Sequence, residues 1–261
     1  MLCPVPCMIH AVDYEPNVGF GDPGSQWWNR LTYYIANRVY SKCILGLPKE
    51  EFQLHDVDYA RINAFMLEEM PVEYAISARL FPRPSSWPAH ATITEFRERD
   101  KAKHWTAPPD LLQFLSDYPD PLYVGFGSMV NEKPDEVGQI ILDVSCEMNL
   151  PVLLNAGWGG IRVSDGQLPS HAFIVNDIPY DWLFSRVRAV VHHGGSGTTH
   201  SALRFGKPQL LIPHISDQFL WMRLVNAAGF GPMGFPIKAF TKDAFRTKLT
   251  ELLSGEYRKP G

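Results

Sequence analysis

The sequence has little of what marks a disulfide-stapled, metal-binding, membrane-spanning or nucleic-acid-binding chain. Four of its 261 residues are cysteine. Cys3, Cys7, Cys43 and Cys146 have neither the close pairing of a zinc site nor the spacing of a disulfide framework. They are expected to be small buried hydrophobes in a reducing compartment. No run of about 20 apolar residues is present, which excludes a membrane-spanning helix. No basic-then-apolar leader opens the chain, and a cytoplasmic location is expected. Positive charge is in deficit, with 24 Lys and Arg against 28 Asp and Glu and a net charge of −4. That leaves no basic field to attract nucleic acid. There is no internal repeat and no low-complexity tract.

What remains is ordinary globular composition, 45% hydrophobic and 20% charged, long enough for one large or two modest domains. Residues 1–26 are rich in Gly, Pro and Asp. Trp28, Leu31, Ile35, Val39 and Cys43 then recur at helical spacing, which predicts a helix over 27–45 that ends at Gly46 and Pro48. Its aromatic residues Trp27, Trp28, Tyr33, Tyr34 and Tyr40 would either pack in a core or line a pocket for a flat lipid. A helix is predicted over 59–70, strands over 72–80 and 91–96, and a Pro-rich loop over 81–88. The charge run 97–104 reads as a solvated linker. Beyond it, strands are predicted at 122–126, 152–156, 173–175, 189–191 and 209–212. Helices are predicted at 110–115, 136–148, 180–184, 198–205, 217–228 and 242–253, the last with Thr241 as its N-cap. Apolar strands alternating with helices predict an α/β fold with a doubly wound parallel sheet. Such sheets bind ligands beyond the C-terminal ends of their strands.

The densest stretch is 192–218. His192 to Gly197 form a Gly-rich turn between a strand and a helix, where backbone N–H groups and the positive helix end favour an anion. Gly194, Gly195 and Gly197 remove the Cβ atoms that would block a phosphate. Ser196, Thr198 and Thr199 add hydroxyls, and His193 adds an imidazole N–H. Residues 106–261 contain no Asp-x-Asp pair of the kind that bridges a metal to a diphosphate, so binding without a metal is expected. Adjacent side chains leaving a strand point to opposite faces, which makes His192 and His193 a poor zinc pair. His192 is expected to be structural and His193 functional. His200 is given no role.

This segment, with Pro213, Asp217 and Gln218 behind it, resembles the nucleotide-sugar signature of GT-B glycosyltransferases of the UDP-glycosyltransferase type (glycosyltransferase family 1). The His-His-Gly-Gly-Ser-Gly-Thr-Thr version is similar to that of sterol and lipid glucosyltransferases and bacterial antibiotic glycosyltransferases. Val124–Met129 and Asn176–Phe184 resemble two further motifs of the family, in family order, the second with Tyr180 where His is usual. The resemblance implies a GT-B architecture. A partial Rossmann-like acceptor-binding domain would span 1–105, with a linker at its end, and a donor domain 106–261. It implies diphosphate contacts from Gly127, Ser128, His193, Gly195, Ser196, Gly197 and Thr198. It implies nucleoside contacts from Asp177 and Ile178, and sugar contacts from Asp217 and Gln218. Asp217 also fits a helix N-cap, and Trp182 fits an anchor for a short helix. No cofactor and no metal are implied beyond the UDP-sugar as co-substrate.

The implied reaction is inverting, metal-independent transfer of a hexose, glucose by resemblance, from a UDP-sugar to a hydroxyl of a sterol-like or other lipophilic acceptor. Such transfer needs a base. His10, Asp13, His55, Asp56 and Asp58 are available, and no motif selects among them. The Gly-x-x-Gly-Asp turn and the C-terminal crossover helix of the family are not in this sequence. A second reading therefore stands beside the first: a donor-binding module without activity on its own, or one subunit whose acceptor half comes from a second polypeptide. A GT-B epimerase is a third. A lipophilic acceptor also makes peripheral contact with a membrane compatible with the cytoplasmic expectation.

Overall fold

The computed structural model describes residues 2–3, 5–7, 9–12, 15–17, 19–20, 25–45, 61, 64–65, 68–97, 100–163, 168–254 and 257. The chain divides into two compact units, Met1–Arg97 and Glu98–Gly261. Among the described residues no helix is long and apolar enough to cross a membrane.

In the first unit, three short parallel strands, β1 (Leu2–Cys3), β2 (Val72–Tyr74) and β3 (Ala91–Ile93), form a sheet in the order β1-β2-β3. β2 stops well short of the predicted 72–80. The Ser77 carbonyl takes the N–H groups of Leu80 and Phe81 and turns the chain away. β3 likewise ends before residue 96. The Pro-rich segment that follows the turn is pinned by one guanidinium. Arg83 donates to the carbonyls of Pro84, Ala91, Trp87 and Pro88. Helix α1 (Gln26–Leu45) buries a different face from the expected apolar stripe. Asn29, Thr32 and Tyr33 are buried, while Val39 and Trp27 are exposed. The reason is hydrogen bonding: Asn17 N–H donates to Thr32 Oγ1, and the Tyr33 hydroxyl donates to the Glu15 carbonyl. Half of the helix expected over 59–70 lies outside the described residues. Cys3 and Cys7 are buried as expected, but Cys146 is exposed, on the outer side of its helix.

The second unit opens with a short 3-10 turn at Ala102–His104 and helix α2 (Pro109–Asp117). Asp181 accepts the Ala102 N–H, and Trp105 meets Trp182 edge-on at 4.9 Å. Ala102 and Trp105, expected at the end of the first domain, thus pack with the second unit. Then follow β4 (Leu122–Gly125), α3 (Pro134–Glu147), β5 (Val152–Asn155), β6 (Ala172–Val175), α4 (Tyr180–Leu183), β7 (Ala189–His192), α5 (Ser196–Arg204), β8 (Gln209–Leu211), α6 (Gln218–Ala227) and α7 (Lys242–Leu253). Pro109 and Pro134 open their helices, where a missing N–H costs nothing. Thr241 caps α7, its hydroxyl accepting from Ala244 N–H.

All five strands are parallel, in the order β6-β5-β4-β7-β8. Leu122 and Val124 pack on one face with Ile141 of α3 and Phe245 of α7. Tyr123 and Val190 pack on the other with Phe114 of α2 and Ala202 of α5. With both faces covered, β4, β7 and β8 are buried at every position, which is why these strands lack alternation. Each fully buried aliphatic residue contributes about 1.5–3 kcal/mol. From β4 the chain builds outward through β5 and β6, then crosses to β7 and β8. The order reverses between β4 and β7, and a crevice is expected at that switch point. The register aligns Gly125 with Asn155 and His192, Asn155 with Val175, and His192 with Leu211. All five strands therefore end at one level, and the loops after them form one face.

Candidate functional site

The loops after β4 and β7 meet at the switch point. His193 lies between them. A Cβ on Gly127 would stand 2.9 Å from its Cε1, and a Cβ on Gly195 would stand 2.5 Å from its Nε2. Glycine at both positions makes room for the ring. Gly127 also has φ +59, a conformation that favours glycine. Burial, followed by the nearby His214, pulls the His193 imidazole down to about 4. The Gly125 carbonyl opposes this shift without reaching hydrogen-bonding geometry with Nδ1, which is buried and unpaired. At neutral pH the ring is uncharged.

Helix α5 begins at Ser196, two residues earlier than predicted, with Gly195 as an extended N-cap that makes no side-chain cap. Thr199 N–H makes the first helical bond, to the Gly195 carbonyl. Gly197 and Thr198 thus lie in the opening turn, whose N–H groups have no acceptor within the helix and carry its positive end. Gly197 is exposed, and a Cβ there would meet nothing within 4 Å. The Thr199 hydroxyl is bonded back to Gly195 and does not face a ligand. Ser128 is exposed on the opposite loop.

Asp217 and Gln218 follow β8. Asp217 stands at the N-cap of α6 but does not cap it; its Oδ2 accepts the indole N–H of Trp221 at 3.2 Å. Burial raises its carboxyl above the usual range, and the Trp221 bond partly offsets this. Gln218 is buried, and its Oε1 accepts the N–H groups of His214 and Ile215. Its Nε2 reaches Met129 Sδ at 3.3 Å. The side chain expected to touch sugar is instead engaged in bracing its own loop against the loop after β4. Asp177 and Ile178, beyond edge strand β6, are separate from this cluster. Asp177 is exposed with φ +47, and Ile178 is buried in the core beside Tyr123. Trp182 is an anchor: Trp105 meets it edge-on, and the Arg186 guanidinium lies 4.1 Å above its ring.

Several contributors escaped the sequence reading. His200 Nδ1 lies 2.7 Å from the Ser196 carbonyl, and its ring meets Trp221 at 5.0 Å. Ser196, His200, Trp221 and Asp217 therefore form a chain linking the starts of α5 and α6. The signal was two spacings of four residues, the distance that brings side chains together on a helix. His214 binds the Ile212 carbonyl through Nδ1, lies on Phe126 at 5.1 Å and is pushed down by burial. Among the candidate bases, His10 is buried with Nδ1 2.9 Å from the Tyr74 hydroxyl. Asp13, His55, Asp56 and Asp58, the last two an Asp-x-Asp pair, lie outside the described residues. No group of three or more potential metal ligands occurs among the described residues.

Residues 153–259 match the family "Erythromycin biosynthesis protein CIII-like, C-terminal domain". The chain is similar to "Sterol 3-beta-glucosyltransferase UGT80A2" of Arabidopsis thaliana, 31% identical over 88% of this chain and 36% of that protein. It thus spans about a third of the length of the plant relatives it matches. Among solved structures, the glycotransferase of kitacinnamycin superposes with a TM-score of 0.60 at 17% identity, over 85% of this chain and 54% of that one. A UDP-glucose: anthocyanidin 3-O-glucosyltransferase in complex with UDP superposes at 0.56 with 18% identity, over 77% of this chain and 50% of that one. Residues 153–259, which match the EryCIII-like C-terminal domain, carry the Gly-rich loop and the starts of α5 and α6, in a chain with the α/β architecture of GT-B glycosyltransferases.

Proposed function

We propose that the chain serves inverting, metal-independent transfer of a hexose, glucose in the first instance, from a UDP-sugar to a hydroxyl of a sterol-like acceptor. The observation that carries this reading is the uncharged His193 ring seated between Gly127 and Gly195, beside the opening turn of α5. As the acceptor oxygen bonds to the anomeric carbon, the bond to the diphosphate breaks and negative charge gathers on the leaving UDP. A base takes the proton of the acceptor hydroxyl. Fixed N–H donors aimed at the leaving group stabilise that charge most in a site shielded from water. The N–H groups of Gly197 and Thr198, the Ser196 and Ser128 hydroxyls and the His193 N–H are such a set. In this reading the Asp217 carboxylate, held by Trp221, takes sugar hydroxyls, and the loop at Asp177 and Ile178 takes the nucleoside. Sterol as acceptor and UDP-glucose as donor follow the names of the relatives. Peripheral contact with a membrane would bring such an acceptor within reach.

A donor-binding module that transfers only with a second polypeptide is the other reading. It is favoured by the loops of the proposed donor site all lying in the second unit, Glu98–Gly261. Thermal unfolding with UDP, UDP-glucose and dTDP-glucose, in chelator, tests the donor site. A ligand at about one hundred times its dissociation constant adds about 2.7 kcal/mol and raises Tm by a few degrees. A shift with UDP ligands supports the donor site, and glucosylation of a sterol by the same sample separates the two readings. A folded sample that responds to no nucleotide overturns both.

A further inference from the structure

The Gly-rich loop rests on two buried side chains that the proposed chemistry does not use. His192 ends β7 and Gln209 opens the neighbouring β8, and both are fully buried. Gly194 N–H donates to His192 Nδ1 at 3.1 Å, so Nδ1 carries the lone pair. The neutral ring then holds its proton on Nε2, which donates to Gln209 Oε1 at 2.8 Å. A partner on each side selects one tautomer of the ring. The arrangement has a cost. The Gln209 Nε2 is buried with no hydrogen-bond partner, which an apolar side chain of similar size would avoid. What the pair holds is a demanding peptide: Gly194 has φ +93, and a Cβ there would stand 3.0 Å from the Gln218 carbonyl.

We infer that His192 and Gln209 are a positioning pair: the Nε2–H tautomer of His192, selected by Gln209, holds the Gly194 peptide and thereby sets His193 and the opening turn of α5 for an anionic ligand. The ligand in this inference rests on the nucleotide-sugar reading; the hold on Gly194 does not. A residue that merely filled space would be replaced well by any side chain of its bulk. A positioning residue is replaced only by one that keeps its acceptor. Asparagine at 192 offers an amide oxygen near the place of Nδ1, whereas leucine offers bulk and no acceptor.

The test is the exchange rate of the Gly194 amide, followed by NMR in the full chain, together with calorimetric titration of UDP in chelator. His192→Leu is expected to speed Gly194 exchange and to weaken UDP binding, each by about tenfold, the equivalent of one hydrogen bond to a fixed group. His192→Asn is expected to restore both to within about threefold of the parent. Gln209→Leu is expected to mix the two ring tautomers, read from the imidazole 15N shifts, and to weaken UDP binding with little change in Tm, because the unpaired buried amide of the parent is exchanged for an unpaired His192 Nε2–H. Equal Gly194 exchange in His192→Leu and the parent, or equal behaviour of Leu and Asn, would overturn the pair. Faster exchange with unchanged UDP affinity would overturn its link to the ligand. If the parent binds no UDP, the nucleotide-sugar reading fails, while the exchange series still decides the hold on Gly194. If His192→Leu does not fold, the tautomer and affinity readouts of Gln209→Leu decide it.

Discussion

The two ends of the proposed site are built in opposite ways. At the loop after β7, side chains hold the backbone: His193 fills the gap between two glycines, Gln218 braces the neighbouring loop, and His200 with Trp221 ties two helix starts together. At the loop after β6, the backbone stands on its own conformation. Asp177 is exposed at φ +47, and its neighbour Ile178 points into the core. An anion needs several donors converging on one point, and convergence requires rigid support. A flat base needs an edge and an opening, and one peptide in a fixed turn supplies both. Side-chain changes should therefore be felt strongly at the first end and weakly at the second.

The largest effect should come from putting charge where the anion goes. Ser196→Asp places a carboxylate in the opening turn of α5, and a like charge against a diphosphate costs several kcal/mol. UDP affinity in titration calorimetry should fall by at least about a hundredfold with Tm unchanged. Unchanged affinity would remove α5 from the site. Next is Gly195→Ala, whose Cβ would meet His193 Nε2 at 2.5 Å and displace the ring. Affinity should fall by about tenfold in the parent but little in a His193→Ala background, because the damage acts through the ring. Additive losses would show that Gly195 acts by itself.

The anion end should also show in pH. His192 and His193 are drawn down to about 3 and about 4 by burial, His192 further by His193 and His193 further by His214. In the unfolded chain both titrate near 6.5. Their folded values are depressed, so the folded state binds fewer protons between these limits. The stability they hold is fully present above about pH 6.5 and is lost as pH falls toward 3–4, by up to about 1.4 kcal/mol per unit for each group. Urea unfolding from pH 7.5 to 4.5 should show this slope, flattened in His193→Gln. A flat parent profile would mean that neither ring is buried uncharged.

A smaller effect is expected at Asp217. Asp217→Asn keeps an acceptor for the Trp221 indole and removes the charge. UDP-glucose affinity should drop by about tenfold while UDP affinity holds, since a charged hydrogen bond contributes about 1.5–3 kcal/mol. Equal losses for both ligands would place Asp217 away from the sugar.

The same contrast governs what could be read from the residues. The strands of the second unit were legible because both faces of the sheet are covered, so Leu122–Gly125 and Ala189–His192 are buried throughout and 189–191 is a continuous apolar run. The Gly-rich loop was legible because glycine at 127, 194 and 195 leaves space that a Cβ would fill. What was not legible is which partner a polar side chain takes. Spacing alone does not decide that Gln218 turns inward to the N–H groups of His214 and Ile215, or that Asp217 meets an indole instead of capping its helix, and no local pattern says that Gln209 sits beneath His192. In the first unit the strands are too short for a pattern. α1 docks through Thr32 and Tyr33 hydroxyls rather than through an apolar stripe, so periodicity pointed to the wrong face.

The most discriminating change at the nucleoside end is also the mildest. Asp177 sits in the left-handed region, where an L-residue with a Cβ pays about 1–2 kcal/mol and glycine pays none. Glycine also gives the unfolded chain more freedom, worth about 0.5–1 kcal/mol in the other direction. The two nearly cancel, so Asp177→Gly should leave Tm almost unchanged. If the loop serves the base through its backbone alone, UDP affinity in this variant should stay within about twofold of the parent, since the turn is kept and only the carboxylate is lost. Asp177→Val tests the other half of the argument. A β-branched residue at φ +47 is a genuine outlier and forces the peptide to rotate. Stability should fall by about 1–2 kcal/mol, and UDP should bind more weakly with it. Loss of affinity in Asp177→Gly equal to that in Asp177→Val would mean that the carboxylate itself touches the nucleoside, and the two ends of the site would then be built alike.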